Sequence, residues 1–236
     1  MDHAPIEEDR ALFVHTFGAD PKNWSEALSS KFADDWVKAS LEEKASFEQH
    51  KVYRLVPRHE AEGKKIYKPR PVFKIKISLP TASNPEPTIE RFRFRQTIAA
   101  FAKTMQQGID FAEKRASTVR WESTLVQFAI AVKFDLEIAL IDVKTFFLYG
   151  NLEDEVYMEQ PSEWEDARYP IKDYVCRLQR SMYGLPQASH CAQMKLKDTL
   201  THKQAFRQAA ADDCVFVRGW PKDADYANTE ATWTTC

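Results

Sequence analysis

A chain of 236 residues, 44% hydrophobic and 29% charged, can bury a substantial core and is too apolar to be disordered. Twelve prolines against six glycines exclude a collagen-like repeat, and a net charge of −2 by itself names no polyanionic partner. Lys133 and Asp135 interrupt the longest apolar run, so no membrane-spanning segment is expected. Cys176, Cys191, Cys214 and Cys236 form no CxxC pair, and no signal peptide is expected ahead of them. They are expected to be reduced thiols of an intracellular protein, cytoplasmic or nuclear.

In chain order, residues 1–22 are expected to be a flexible segment, and Asn23-Trp-Ser-Glu26 opens a helical lead-in over 23–50. Trp36, Val37, Leu41 and Phe47 keep a 3.6-residue period, although Ser40 and Lys44 fall on the same stripe. Val52–Val56 and Val72–Leu79 are expected to be paired strands around a Gly63-Lys-Lys turn, with Thr81–Thr88 a loop. Trp121, Leu125, Phe128 and Val132 mark a helix, and Leu136–Val143 is expected to be a buried strand. Short strands follow at 156–159 and 174–178, then a helix over 189–203 and a strand at 214–217. Mixed helices and hairpins without a repeat imply an α+β fold.

Charge is unevenly placed. Residues 1–45 carry ten acids against five Lys or Arg, and residues 150–166 carry seven acids with no Lys or Arg. Residues 51–76 hold nine Lys or Arg against two Glu, including Lys64, Lys65, Lys74 and Lys76. Such a block suits phosphates, or else it is a solvated hairpin whose lysines guard an edge strand. Arg91-Phe-Arg-Phe-Arg95 alternates strictly, so Phe92 and Phe94 face a core while Arg91, Arg93 and Arg95 share the other face, roughly 7 Å apart. Three guanidiniums in a row repel unless an anion or carboxylates lie opposite, and bidentate phosphate recognition is their natural use. The alternative is a surface strand paired with the acidic block.

Asp142 stands at the end of the apolar run 136–143. A carboxylate there either caps a turn or is held at a core edge to bind something positive.

Several segments, in order, carry a resemblance: WSEALSSKFADDWVKA, YRLVP, VFKIK, RFRFR, QQGIDF, DVKTFFLYGNLEDEVYMEQP, VCRLQRSMYGLPQA and DDCVFVR. Over about residues 23–218 the chain resembles the reverse transcriptase domain of copia-type long-terminal-repeat retrotransposons. The resemblance implies a right-hand polymerase, with fingers over 51–117, a partial palm over 118–218 and a divergent tail over 219–236. It further implies a template-primer of RNA or DNA, deoxynucleotide substrates, and two-metal nucleotidyl transfer with Mg²⁺. Within it, Asp142 matches the first metal carboxylate, with the Val143 carbonyl beside it. Phe147 matches the ring under the incoming sugar, Gln187 the glutamine along the nucleotide, and Arg93 and Arg95 the triphosphate-holding positions. Lys64, Lys65, Lys74, Lys76 and Arg91 would hold nucleic acid.

The departures carry weight too. Phe146 stands where the family has a small residue, FRQTIAAF replaces a segment with a lysine and a glycine, and EKRASTV replaces ETFAPVA. After DDCVFVR no Tyr-x-Asp-Asp follows, and Asp212-Asp213 aligns with a different segment. The expectation is a truncated, decayed copy that is inactive alone and binds Mg²⁺ weakly or not at all, or else a non-enzymatic nucleic-acid-binding or interaction module derived from it. The six histidines form no HExxH, no GxSxG occurs, and His190 and Cys191, adjacent on a helix, point apart.

Overall fold

The computed structural model describes residues 18–78, 87–99, 105 and 115–218, with the backbone of 232–235. Helices and sheets are mixed, and the chain divides into two compact units, one of residues 1–99 and 156–177 and the other of 100–155 and 178–236.

In the first unit, α1 (Trp24–Leu28) starts where Asn23 accepts the Glu26 backbone N–H at 2.9 Å and Glu26 reaches back to the Lys22 N–H at 2.9 Å. This reciprocal cap satisfies donors that the first turn leaves free. The single helix expected over 23–50 is broken at Ser29–Phe32, and α2 (Ala33–His50) resumes it. Lys51 ends α2 in the left-handed conformation (φ 52°), returning its N–H to the Phe47 and Glu48 carbonyls. The face of α2 that carries Trp36, Ala39, Ser40 and Phe47 is buried.

Two strands, β1 (Tyr53–Pro57) and β2 (Ile66–Tyr67), join β5 (Tyr157–Met158) and β6 (Tyr174–Leu178) in a sheet ordered β1-β6-β5-β2. β2 runs parallel to β5, and β5 antiparallel to β6. The expected pairing of 52–56 with 72–79 is therefore wrong. β3 (Pro69–Ser78) pairs instead with β4 (Thr88–Ile98), antiparallel over ten residue pairs, Phe73 opposite Phe94 and Ile75 opposite Phe92. The apolar period of β1 showed that it pairs without showing with what, and its neighbour β6 lies more than 100 residues downstream. The Thr81–Thr88 loop lies outside the described residues except Pro87 and Thr88, the latter opening β4.

Phe92 and Phe94 do face the core. Trp36 meets Phe73 and Phe92 edge-on at 5.3 and 4.9 Å between centroids, and Trp24 stacks on Phe73 at 6.1 Å. Such ring pairs stabilise beyond the area they bury. Arg58 clamps Glu159 bidentately at 2.9 and 2.6 Å and donates to the Ile171 and Lys172 carbonyls, which fixes the chain between β1 and β6.

In the second unit, α3 (Trp121–Lys133) forms as expected and ends at Asp135, left-handed at φ 52°. Residues 136–143 are not a buried strand. They run irregular and, beyond the half-buried Leu136, exposed, Leu140 completely and Ile141 at 84%. A strand needs a hydrogen-bonding neighbour, and none lies alongside this segment among the described residues. The premise that Asp142 ends a buried strand therefore fails. A short 3-10 turn, Phe146–Tyr149, follows, and α4 (Ala188–Asp198) packs against it. At their contact a Cβ on Gly150 would lie 2.8 Å from the Ala192 backbone nitrogen, so only glycine fits. β7 (Arg207–Gln208), β8 (Val215–Arg218) and β9 (Thr232–Thr235) form an antiparallel sheet.

Candidate functional site

The register of β3 with β4 sets Lys76 opposite Arg91, Lys74 opposite Arg93 and Val72 opposite Arg95. Directly opposed strand residues share a face, so one side of this ribbon carries six cations, Arg70 with these five, including two like-charged cross-strand pairs. Lys74, Lys76 and Arg91 are exposed, and Arg93 and Arg95 half-buried. Carboxylates enter at the margins. Asp20 pairs with Lys74 at 2.8 Å while accepting the Ile75 N–H at 2.9 Å. Burial lifts the Glu43 carboxyl to about 7, opposed by the Gln96 backbone N–H and by the charges of Arg95 and Arg93. Lys64 and Lys65, beside the positive-φ Gly63, are exposed, and the Lys65 ammonium sits 5.2 Å from the Tyr67 ring.

The remaining candidates belong to the second unit. Phe147 is half-buried, its ring edge-on to Tyr183 at 5.4 Å and its carbonyl accepting the Ser181 hydroxyl. Phe146 packs beside it at 6.1 Å. Gln187, at the N-terminus of α4, is only 1% exposed and donates through Nε2 to Asp154 at 3.1 Å. Asp142 and Val143 are exposed in the irregular segment. The fold brings Phe147 and Gln187 onto packed elements and leaves Asp142 off any regular element.

The pair Asp212-Asp213 finds a structural role for its first member. Asp212 accepts the Ser123 hydroxyl at 2.6 Å and the N–H groups of Arg120 and Cys214 at 2.9 Å. These bonds, the Ser123 hydroxyl first, lower its pKa. Asp212 thus caps α3 from 92 residues away. Sequence reasoning missed this cap, and also Asp154 as the partner of Gln187 and Arg58 as a clamp. The acidic and basic blocks contained these residues without singling them out. Cys176, Cys191 and Cys214 form no disulfide among the described residues, and burial pushes Cys191 up to about 11.

Residues 50–224 match the family described as reverse transcriptase (RNA-dependent DNA polymerase). The chain belongs to the reverse transcriptase family. It is 34% identical, over 84% of its length, to a retrovirus-related Pol polyprotein from transposon TNT 1-94 of Nicotiana tabacum, covering 14% of that protein. Similar polyproteins from transposons RE2 and RE1 of Arabidopsis thaliana share 34% and 31% identity over 53% of this chain and 8% of theirs. The copia-type resemblance carried by the motifs is thereby borne out. The chain spans only a small part of these relatives. No solved structure matches it.

Reverse transcriptases use divalent metal, and a hard cation requires several converging oxygens. Among the described residues no group of three His, Cys, Asp or Glu side chains is placed to hold an ion. As arranged, the described residues do not fit a two-metal centre. No described helix is long and apolar enough to cross a membrane.

Proposed function

We propose that this chain is the nucleic-acid-gripping portion of a retrotransposon RNA-directed DNA polymerase, corresponding to fingers and part of a palm, and that it does not polymerise by itself. The observation that carries the reading is the cationic face of the β3–β4 ribbon. Lys76 opposite Arg91 places two like charges side by side, and Lys74 opposite Arg93 does the same with Asp20 offsetting Lys74 at the margin. A phosphate backbone converts that repulsion into attraction, and guanidiniums bind phosphate oxygens bidentately. The expected ligand is a template-primer of RNA or DNA, held without regard to sequence because phosphate contacts carry none.

Phe147 and Gln187 are proposed to face the incoming deoxynucleotide, the ring below the sugar and the amide along the base and sugar. Asp154 takes one of the two N–H donors of Gln187 Nε2, so nucleotide contact through that nitrogen uses the other. Asp142 and the Val143 carbonyl are the candidate first metal ligands, and among the described residues Asp142 belongs to no group of three His, Cys, Asp or Glu side chains that could hold an ion.

The test is binding of labelled single-stranded RNA and of an RNA–DNA duplex, measured by anisotropy across a salt series. Each phosphate contact adds roughly 0.9 to the log–log salt slope on a duplex and about 0.7 on a single strand. Replacing Arg91, Arg93 and Arg95 together by Gln is expected to weaken binding and flatten that slope by roughly 2 on the single strand and roughly 3 on the duplex. Unchanged affinity and slope in the triple variant would assign these arginines to folding alone. Primer extension is expected at background, and extension abolished by Asp142→Asn would overturn the second half of the reading.

A further inference from the structure

In the second unit a cavity of about 370 Å³ opens between the 151–154 loop and α4. Its lining includes Glu153, Asp154, Gln187, Cys191, Lys195 and Asp198. Three observations combine there. Gln187 is 1% exposed, and while its Nε2 donates to Asp154, its Oε1 is closed to solvent and has no hydrogen-bond partner among the described residues. A buried carbonyl oxygen without a donor is a standing cost, which a ligand bearing N–H groups removes. The carboxylates also make the cavity electronegative. Asp198 is engaged by Lys195 at 3.7 Å and His202 at 3.0 Å, whereas Glu153 and Asp154 have no ion-pair partner among the described residues. Their field reaches Cys191, where burial first and then Asp154 and Glu153 disfavour the thiolate.

We propose that this cavity binds a small organic cation with several N–H donors, a primary ammonium or a guanidinium. One donor meets Gln187 Oε1 once that side chain, closed to solvent in the unliganded chain, turns toward the cavity it lines, and the positive charge lies against Glu153 and Asp154. The same carboxylates disfavour an anion here, so a nucleotide that met Gln187 through its base and sugar would keep its phosphates clear of this cavity. A metal ion fits less well, because no three metal-competent side chains of the described residues converge. An ammonium or guanidinium tolerates spread acceptors, since its charge is delivered through several directed donors. The inference stands on this cavity alone and does not depend on polymerase function.

Two sources present this chemistry, a free small amine and a Lys or Arg side chain of a protein. The test titrates the full chain by calorimetry with n-butylammonium and n-butylguanidinium. In parallel, alkylation of Cys191 by N-ethylmaleimide is followed by peptide mapping. Tetramethylammonium, charged but without N–H groups, and n-butanol, without charge, are the controls. The two N–H cations are expected to saturate in roughly the millimolar range and to slow Cys191 alkylation, while the controls do neither. Glu153→Gln, at an exposed position, is expected to weaken binding about two- to five-fold, and Gln187→Met by roughly ten-fold or more. If Gln187→Met does not fold, Glu153→Gln and the control ligands decide. N-acetyl-lysine amide and N-acetyl-arginine amide separate the sources: tighter binding than the butyl compounds assigns a protein side chain, weaker binding a free amine. The proposal is overturned if no cation binds, if tetramethylammonium or butanol binds equally, if Cys191 is not protected, or if Glu153→Gln leaves affinity unchanged.

Discussion

The indole N–H of Trp164 donates to the hydroxyl of Ser40 at 2.9 Å, both residues buried and 124 positions apart in the chain. The bond explains a serine on the apolar stripe of α2. A bare stripe would leave the indole N–H without an acceptor in the aromatic core, where Trp164 also meets Phe47 at 5.2 Å. Ser40→Ala is expected to destabilise the first unit by about 1–3 kcal/mol, the cost of a buried donor left unpaired. Urea denaturation checks it. Trp164→Phe in the Ser40→Ala background removes the orphaned donor, so the double variant is expected to lose less than the two single losses added. Strict additivity would show that the bond contributes nothing.

Glu43 sets a pH dependence with a definite sign. Its carboxyl rises from 4.5 to about 7 because burial disfavours the charged form. The folded state therefore holds a proton more tightly than the unfolded state, and this group's stabilising contribution is present below about 4.5 and lost as pH rises through 7. Glu163, also raised by burial, acts in the same direction. Glu43→Gln is expected to gain stability relative to the parent at pH 8, by about 1–3 kcal/mol, and to show no gain at pH 4. A difference between the two proteins that stays constant from pH 4 to 8 would remove Glu43 as the cause.

Asp212 has the opposite sign. Its bonds to Ser123, Arg120 and Cys214 lower its pKa, so the stability it contributes is present above the usual carboxylate range and falls away on acidification. Asp212→Asn is expected to lower the melting temperature at pH 7 and to narrow the gap to the parent at low pH. Equal melting curves at pH 7 would show that Asp212 does not cap α3.

Local elements were legible in the sequence where the pattern and its cause are local. The alternation of arginine and phenylalanine predicted β4, and the packing of Phe92 and Phe94 on Trp36 and Trp24 follows from it. The period of 121–132 predicted α3. What failed depends on partners distant in the chain. The segment 136–143 is apolar enough for a buried strand, but apolar side chains supply no backbone donors, and no neighbour is present among the described residues. Ser40 read as a flaw because its partner Trp164 lies far downstream. Of the candidate site, the ribbon's cationic face followed from period 2. The bond of Gln187 to Asp154 did not, since both are polar residues in separate segments with no spacing to link them.

Gly150 tests the junction that carries Phe147. Its backbone is ordinary, with φ −64°, so the requirement for glycine is steric rather than conformational. A Cβ there would approach the Ala192 nitrogen and the Cys191 carbonyl carbon at 2.8 Å, and backbone in a helix cannot step aside as a flexible side chain does. Gly150→Ala is expected to destabilise the second unit by roughly 1–3 kcal/mol and to increase the reactivity of Cys191 toward maleimide. Unchanged stability would mean that α4 and the 146–149 turn separate easily.

Asp142 offers the sharpest contrast between motif and geometry. The motif places it as a metal ligand, whereas the described fold leaves it exposed, with no hydrogen bond or ion pair to another described residue. Removing an exposed, unengaged charge changes stability little, so Asp142→Asn is expected to shift the melting temperature by less than about 2 °C. Mg²⁺ keeps most of its waters and gains little from one carboxylate, which sets its affinity in roughly the millimolar range or weaker. A ligand stabilises only when its concentration is well above its dissociation constant, so 1 mM Mg²⁺ is expected to move the melting temperature by less than about 1 °C. A rise of several degrees that disappears in Asp142→Asn would show that this aspartate finds further oxygens in solution and that the metal centre assembles within the chain.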